Sequence, residues 1–98
     1  MTPRTRKALE LSIKHWERIV TGEDTSVSAI SCALCQLFNP VENSRAKDNC
    51  RGCPVAQRTG RGWCDGSPYR TVVKLTPGTI AFRRAAMKEL RFLESLRP

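Results

Sequence analysis

Features typical of exported, membrane-bound and hydrolytic proteins are missing from this sequence. No apolar run reaches the length of a membrane span, and the first residues, MTPRTRKALELSIKHW, lack the apolar core and cleavage site of a secretory signal. Histidine occurs once, at His15, which excludes multi-histidine hydrolytic sites, and there is no glycine-rich phosphate loop or paired-carboxylate motif. The sequence therefore predicts a cytoplasmic protein that has no membrane partner and is not an enzyme.

Acidic residues are also scarce. Seventeen Lys and Arg stand against nine Asp and Glu, which gives a formal net charge of +8. A charge of this sign favours nucleic acid or an acidic protein surface as the partner. Four thiolates and one Zn²⁺ would reduce the charge to +6, because the thiolates remove four charges and the ion adds two. The folded protein is expected to be basic in either case.

The chain has 98 residues, which predicts a single domain with a thin core over residues 1–98. A first helix is predicted over residues 3–21, with Thr2 as a possible N-cap and Gly22 at its end. Its apolar stripe consists of Leu9, Ile13, Trp16 and Val20. This stripe requires a packing partner elsewhere in the chain.

A second helix over residues 78–97 supplies that partner. Pro77 and Gly78 break the chain before it. One side of the helix carries Phe82, Ala86, Leu93 and Leu96, while the opposite side is basic. We expect the two terminal helices to pack against each other through their apolar stripes.

Between the helices, residues 26–75 contain all five cysteines and many turn-forming residues. A loop region of this length is expected to need an additional stabilising link, such as a bound metal ion. The runs SVSAI (residues 26–30) and RTVVKL (residues 70–75) are β-like and could pair as a short ribbon. The predicted fold is mainly α with a small irregular or β-ribbon part, in which two packed terminal helices adjoin a zinc-stabilised central loop region.

The five cysteines follow the pattern C-x2-C-x14-C-x2-C-x10-C, at Cys32, Cys35, Cys50, Cys53 and Cys64. Two Cys-x-x-Cys turns can complete a tetrahedral Zn²⁺ site, and a four-cysteine site is structural because it leaves no position open for chemistry. The first four cysteines are the preferred ligands, but Cys64 could replace one of them or remain a spare thiol. An iron–sulfur cluster on the same thiolates and free cysteines in a small core are the alternatives.

His15 allows a further comparison. His15 and Glu17, followed by Cys32 and Cys35, have the residue types of a zinc deaminase motif, but Ser31 stands where those enzymes usually have Pro, and too few strands are predicted. The simpler interpretation is an imidazole at the helix edge, and a ligand or supporting role at the metal site is the other.

Two basic surfaces are candidate partner sites. Arg84, Lys88 and Arg91 share one face of the last helix. The second candidate is the segment from 57 to 70, with Arg58, Arg61, Trp63, Tyr69 and Arg70. Cations beside aromatic rings can bind phosphates and stack on bases. The alternatives are a plain solvated surface, packing of Trp63 over the metal, or a docking face for an acidic protein.

Several segments carry a resemblance to a known group of proteins. They are Cys32-x2-Cys35, CRGCPV (residues 50–55), Thr59-Gly60, CDGSPY (residues 64–69), His15-Trp16 and FLESL (residues 92–96). Together they resemble small cysteine-motif proteins encoded by tailed bacteriophages and prophages. The resemblance implies a phage product acting inside a bacterial host, on nucleic acid, a nucleoprotein complex or a host defence complex. It also implies that all five cysteines belong to the motif, which strengthens the case for Cys64 as a ligand, and it leaves a site with both Cys and His15 ligands open.

Overall fold

A computed structural model describes residues 1–27, 33–38, 52–61, 64 and 66–98. The described part is helical and contains no strand. Its helices are α1 (Pro3–Thr21), α2 (Ala33–Phe38), α3 (Pro54–Thr59), α4 (Tyr69–Val72) and α5 (Ile80–Glu94). None of the described helices combines the length and apolar character that crossing a bilayer requires.

The limits of α1 follow from its capping residues. The Thr2 side chain accepts a hydrogen bond from the Thr5 amide at 3.1 Å, and Pro3 occupies the first turn, where it loses no helical hydrogen bond. Gly22 ends the helix in the left-handed conformation, with φ of 87°, and its amide donates to the carbonyl of Ile19 at 3.1 Å. The first predicted helix is therefore confirmed.

α5 is shorter than the helix predicted over residues 78–97. Gly78 has φ of 85° and completes a turn, so the helix begins after Thr79, whose side chain accepts from the Phe82 amide at 3.2 Å. At the other end Ser95 is the C-cap, and the chain continues in a turn. The predicted helix is thus present, but Thr79 and Ser95 set its limits.

The first and last helices pack together, as the apolar stripes predicted. Leu9, Ile13, Ile19 and Phe82 are at most 1 % exposed and lie in one hydrophobic core. At one end of the pair the Arg83 guanidinium donates to the carbonyl of Thr21 at 3.4 Å. Near the other end Arg97 makes two hydrogen bonds of 2.8 Å to the Glu10 carboxylate. α2 packs on α1, and α4 packs on α5.

The expected β-ribbon is wrong in its second half. Residues 69–72 form α4, and Lys74 and Leu75 follow in a turn. Pro68 has helical backbone angles, and its carbonyl accepts from the amides of Thr71 and Val72. Val72 is fully buried in the core, so tertiary packing overrides the strand preference of this valine-rich run. Residues 28–30 of the first run lie outside the described part of the chain.

Candidate functional site

Cys53 lies at the start of α3, where the chain turns into a helix. It is the N-cap residue, with Pro54 in the first turn behind it, and its carbonyl accepts from the Gln57 amide at 2.9 Å. The residue is 5 % exposed and belongs to the hydrophobic core. A metal held here would be shielded from water on the core side.

The chain before Cys53 lies close to the helix that carries Cys35. Gly52 has φ of 84°, and a Cβ at this position would come within 3.4 Å of the Phe38 ring. Phe38 is the last residue of α2, and Leu34 of the same helix is buried in the core that includes Cys53. The Phe38 side chain at the end of α2 therefore lies beside the turn that precedes Cys53.

Cys64 adopts an unusual backbone conformation. Its φ of 59° is left-handed, which costs a residue with a side chain about 1 to 2 kcal/mol. The Ser67 hydroxyl and amide donate to the Cys64 carbonyl at 2.7 and 3.2 Å and hold the turn. Cys64 is partly buried against the same core as Cys53. Non-glycine residues in such conformations are concentrated at functional sites.

Two of the predicted ligands are therefore located, and three are not. Cys32, Cys50 and the side chain of Cys35 lie outside the described residues. Within the described residues, no three His, Cys, Asp or Glu side chains form a group that could hold a metal ion. Cys53 and Cys64 both pack in or against the same hydrophobic core, and α2 lies beside Gly52.

His15 is used in a hydrogen-bonded contact rather than presented as a ligand. The residue is 9 % exposed, and its Nε2 donates to the carbonyl of Ser26 at 2.7 Å. With the proton on Nε2, Nδ1 accepts from Arg18 at 3.5 Å and lies 3.7 Å from the Asp24 carboxylate. Both ring nitrogens thus face protein groups, which argues against the deaminase comparison.

Asp24 and Tyr69 hold the same stretch of chain. The Ser26 amide donates to Asp24 at 2.9 Å and is the main reason that the pKa of this carboxyl lies below its usual value; the positive charge of Arg18 acts in the same direction. The Tyr69 hydroxyl donates to the carbonyl of Val27. Residues 24–27, which lead towards the first cysteine pair, are therefore fixed to both α1 and α4.

The basic segment from 57 to 70 is largely committed to internal contacts. Arg58 donates to the carbonyl of Ser95 at 3.2 Å, where it satisfies the end of α5. Tyr69 and Arg70 are partly buried, and the Tyr69 ring meets Trp16 edge to face. Arg61 is exposed, and Trp63 lies outside the described residues. Of the residues predicted for this surface, Arg58 and Arg61 are exposed, whereas Tyr69 is partly buried beside Trp16.

The exposed face of α5 keeps its predicted cations available. Arg84, Lys88 and Arg91 are exposed, and their side chains make no hydrogen bond or ion pair with any described residue. Ile80, which is 72 % exposed, and Met87, which is 36 % exposed, lie among them at helical spacing. The face is therefore basic and partly apolar, a mixture that analysis of the charges alone did not indicate.

A second basic stripe, on α1, was not predicted. Arg4, Lys7, Lys14 and Arg18 are all exposed, and Leu11, which is 49 % exposed, lies between them. The residues are spaced by three and four along the helix, so the signal was present in the sequence opposite the apolar stripe.

Comparison with family models, with curated proteins and with solved structures finds no match to this chain.

Proposed function

We propose that this chain is a small, basic, non-catalytic protein that binds nucleic acid through the exposed face of α5. The observation that carries the proposal is the state of Arg84, Lys88 and Arg91, which are exposed and have no hydrogen-bonding or ionic partner among the described residues. Phosphates would supply the missing counter-charges, and the release of condensed counterions would drive binding. The stripe on α1 adds further positive charge to the surface.

Other arginines support this choice by contrast. Arg97 is paired with Glu10, Arg58 is bonded to Ser95, and Arg83 is bonded to Thr21. These three arginines stabilise the packing of the helices. Part of the positive charge of the protein therefore has a structural role. The cations in the middle of α5 have no such structural use within the described chain.

The proposed metal is a structural Zn²⁺ held by four of the five cysteines, with an iron–sulfur cluster as the alternative on the same thiolates. Its contribution would be to tie the central segments to the helix pair, since Cys53 and Cys64 border the core. The setting we propose, from the cysteine motif and its resemblance, is a phage-type protein in the cytoplasm of a bacterial host.

The proposal is tested by the salt dependence of binding to a short DNA duplex, measured by fluorescence anisotropy. Arg91→Gln should weaken binding to all sequences about equally and reduce the slope of log affinity against log salt by about 1. Arg97→Gln removes the same charge from a residue already paired with Glu10 and is the matched control, with a smaller effect. Equal effects of the two variants, or no DNA binding, would refute the proposal.

A second function is favoured by one specific observation. Ile80 is the most exposed large apolar residue of the described chain, and phosphate binding does not require it. An exposed apolar residue beside cations suits a protein partner. The alternative function is therefore inhibition of a host factor or defence complex by direct protein contact, with zinc in a structural role only.

A further inference from the structure

A shallow groove lies between the α4 segment and α5. Its volume is about 530 Å³. The residues that decide its chemistry are Leu75, Ile80, Ala81, Arg84, Ala85 and Lys88. Of the described residues, Cys53, Cys64 and His15 do not belong to its lining, and the sequence analysis did not identify the groove.

The apolar side chains of the groove are only partly covered by the rest of the protein. Ile80 is 72 % exposed at the first residue of α5, although neighbouring Phe82 is buried in the core. Ala81 and Ala85 have small side chains, which leave room between α4 and α5. Leu75 is only partly buried. An apolar side chain placed here would cover Ile80 and Leu75 and remove their surface from water.

The charged part of the groove has one sign. Arg84 and Lys88 line it, both are exposed, and neither has an ionic partner among the described residues. No acidic residue belongs to the described lining. Residues four apart on a helix hold their Cβ atoms about 6 Å apart. Two carboxylates at a similar spacing on a partner would therefore face both cations.

We propose that this groove is a docking site for an acidic segment of a partner protein, which places an apolar side chain against Ile80 and its carboxylates against Arg84 and Lys88. The cations favour an acidic partner, and the exposed isoleucine favours a protein in this groove, because phosphates would use Arg84 and Lys88 but leave Ile80 in water. The proposal goes beyond nucleic-acid binding but shares Arg84 and Lys88 with the proposed nucleic-acid face, so the two ligands would compete for these cations, whereas Arg91 lies outside the groove lining.

The test is selection of peptides from a random library of chains of about 15 residues, displayed on a surface and exposed to the full-length protein. Enriched peptides should combine Asp or Glu with Leu, Ile or Phe. Their affinity should fall about tenfold or more on Ile80→Ser, because the apolar contact that removes the isoleucine side chain from water would be lost. It should also fall on the double variant Arg84→Glu with Lys88→Glu, while Arg91→Gln should have little effect.

The substituted residues are exposed and none of them belongs to the core, so the variants should fold. A loss of binding can therefore be attributed to the groove itself. Peptides that lack acidic residues, or that bind Ile80→Ser as tightly as the native chain, would overturn the proposal. The same variants are titrated with duplex DNA. If Ile80→Ser weakens DNA binding as much as it weakens peptide binding, the groove is a nucleic-acid surface and the proposed protein site is wrong. Loss of DNA binding in Arg91→Gln tests the proposed function separately.

Discussion

The hydroxyl of Tyr69 donates a hydrogen bond of 2.5 Å to the main-chain carbonyl of Val27, a residue 42 positions earlier in the chain. The ring of Tyr69 also meets Trp16 of α1 edge to face, with 6.2 Å between ring centroids. One side chain at the start of α4 therefore joins α1 to the segment that leads towards the first cysteine pair.

Tyr69→Phe should lower the free energy of unfolding by about 1 kcal/mol, because the ring contact remains but the Val27 carbonyl loses its partner. Urea unfolding followed by circular dichroism measures the change. Thr71→Ala, at an exposed position of the same helix, is the control and should have little effect.

Binding of DNA by Tyr69→Phe and Tyr69→Ala, measured under conditions where both variants are folded, should match that of the native chain. A selective loss of DNA binding would restore Tyr69 as a base-stacking residue.

Cys64 can be tested for a ligand role through its backbone conformation. If Cys64 binds the metal, both Cys64→Ser and Cys64→Gly should lower the zinc content and the melting temperature. If Cys64 is not a ligand, Cys64→Gly should be at least as stable as Cys64→Ser, because glycine adopts a φ of 59° without strain. Metal analysis and thermal unfolding of the two variants separate these outcomes.

Removal of the proposed metal should have a regional effect. A strong chelator, or Cys35→Ser or Cys53→Ser, should unfold residues 26–75, since the cysteine segments would lose their tie. Hydrogen exchange by mass spectrometry locates the loss of protection, and metal analysis counts the zinc. An unchanged circular dichroism spectrum after metal removal would contradict a structural role, and a brown preparation would indicate an iron–sulfur cluster.

Two buried serines should respond to alanine in opposite directions. Ser12 is 2 % exposed, and its hydroxyl has no hydrogen-bond partner within the described part of the chain, so Ser12→Ala should stabilise α1 by about 1 kcal/mol. Ser67 is 7 % exposed, and its hydroxyl donates to the Cys64 carbonyl. Ser67→Ala should therefore lower the free energy of unfolding by about 1 kcal/mol. Urea unfolding of the pair measures both. A destabilised Ser12→Ala variant would mean that the hydroxyl has a partner outside the described residues.

The ion pair of Glu10 with Arg97 should make stability depend on pH. The hydrogen bond from Arg97 holds the pKa of Glu10 below its usual value, so the pair stabilises the fold above about pH 4.3 and loses its effect as pH falls through the lowered pKa. Glu10→Gln should lower the melting temperature at neutral pH, and the difference should close in acid and shrink in high salt. Glu17→Gln, an exposed site on the same helix, is the control. A difference that persists in acid would indicate a packing effect.

The terminal helices were predictable because their signals are local. Thr2 and Gly22 cap α1 as the sequence indicated, and Leu9, Ile13 and Trp16 form a stripe at helical spacing that is buried in the structure. The prediction of where α5 begins was less accurate. Both Thr76 and Thr79 precede the apolar run, and the sequence pattern does not indicate which of them caps the helix. Capping residues and apolar periodicity were therefore sufficient to predict the two terminal helices. Their packing was predictable because each helix has an apolar stripe that must be removed from water.

The candidate site was harder to predict because its contacts join distant residues. The valines near Arg70 indicated a strand, but burial of Val72 against the core selected a helix. Neither the contact between Tyr69 and Val27 nor the use of Arg58 at the end of α5 has a sequence signal. The cations of α5 were found by their spacing, whereas the groove beside them depends on how α4 packs.

The pairing of the first helix with the last has a consequence for synthesis of the chain. α1 is complete at Thr21, but α5, which covers its apolar stripe, begins only at Ile80. Ribosomes add about 5 to 20 residues per second, so α5 is made several seconds after α1. During that interval the apolar stripe of α1 lacks the helix that covers it in the folded protein.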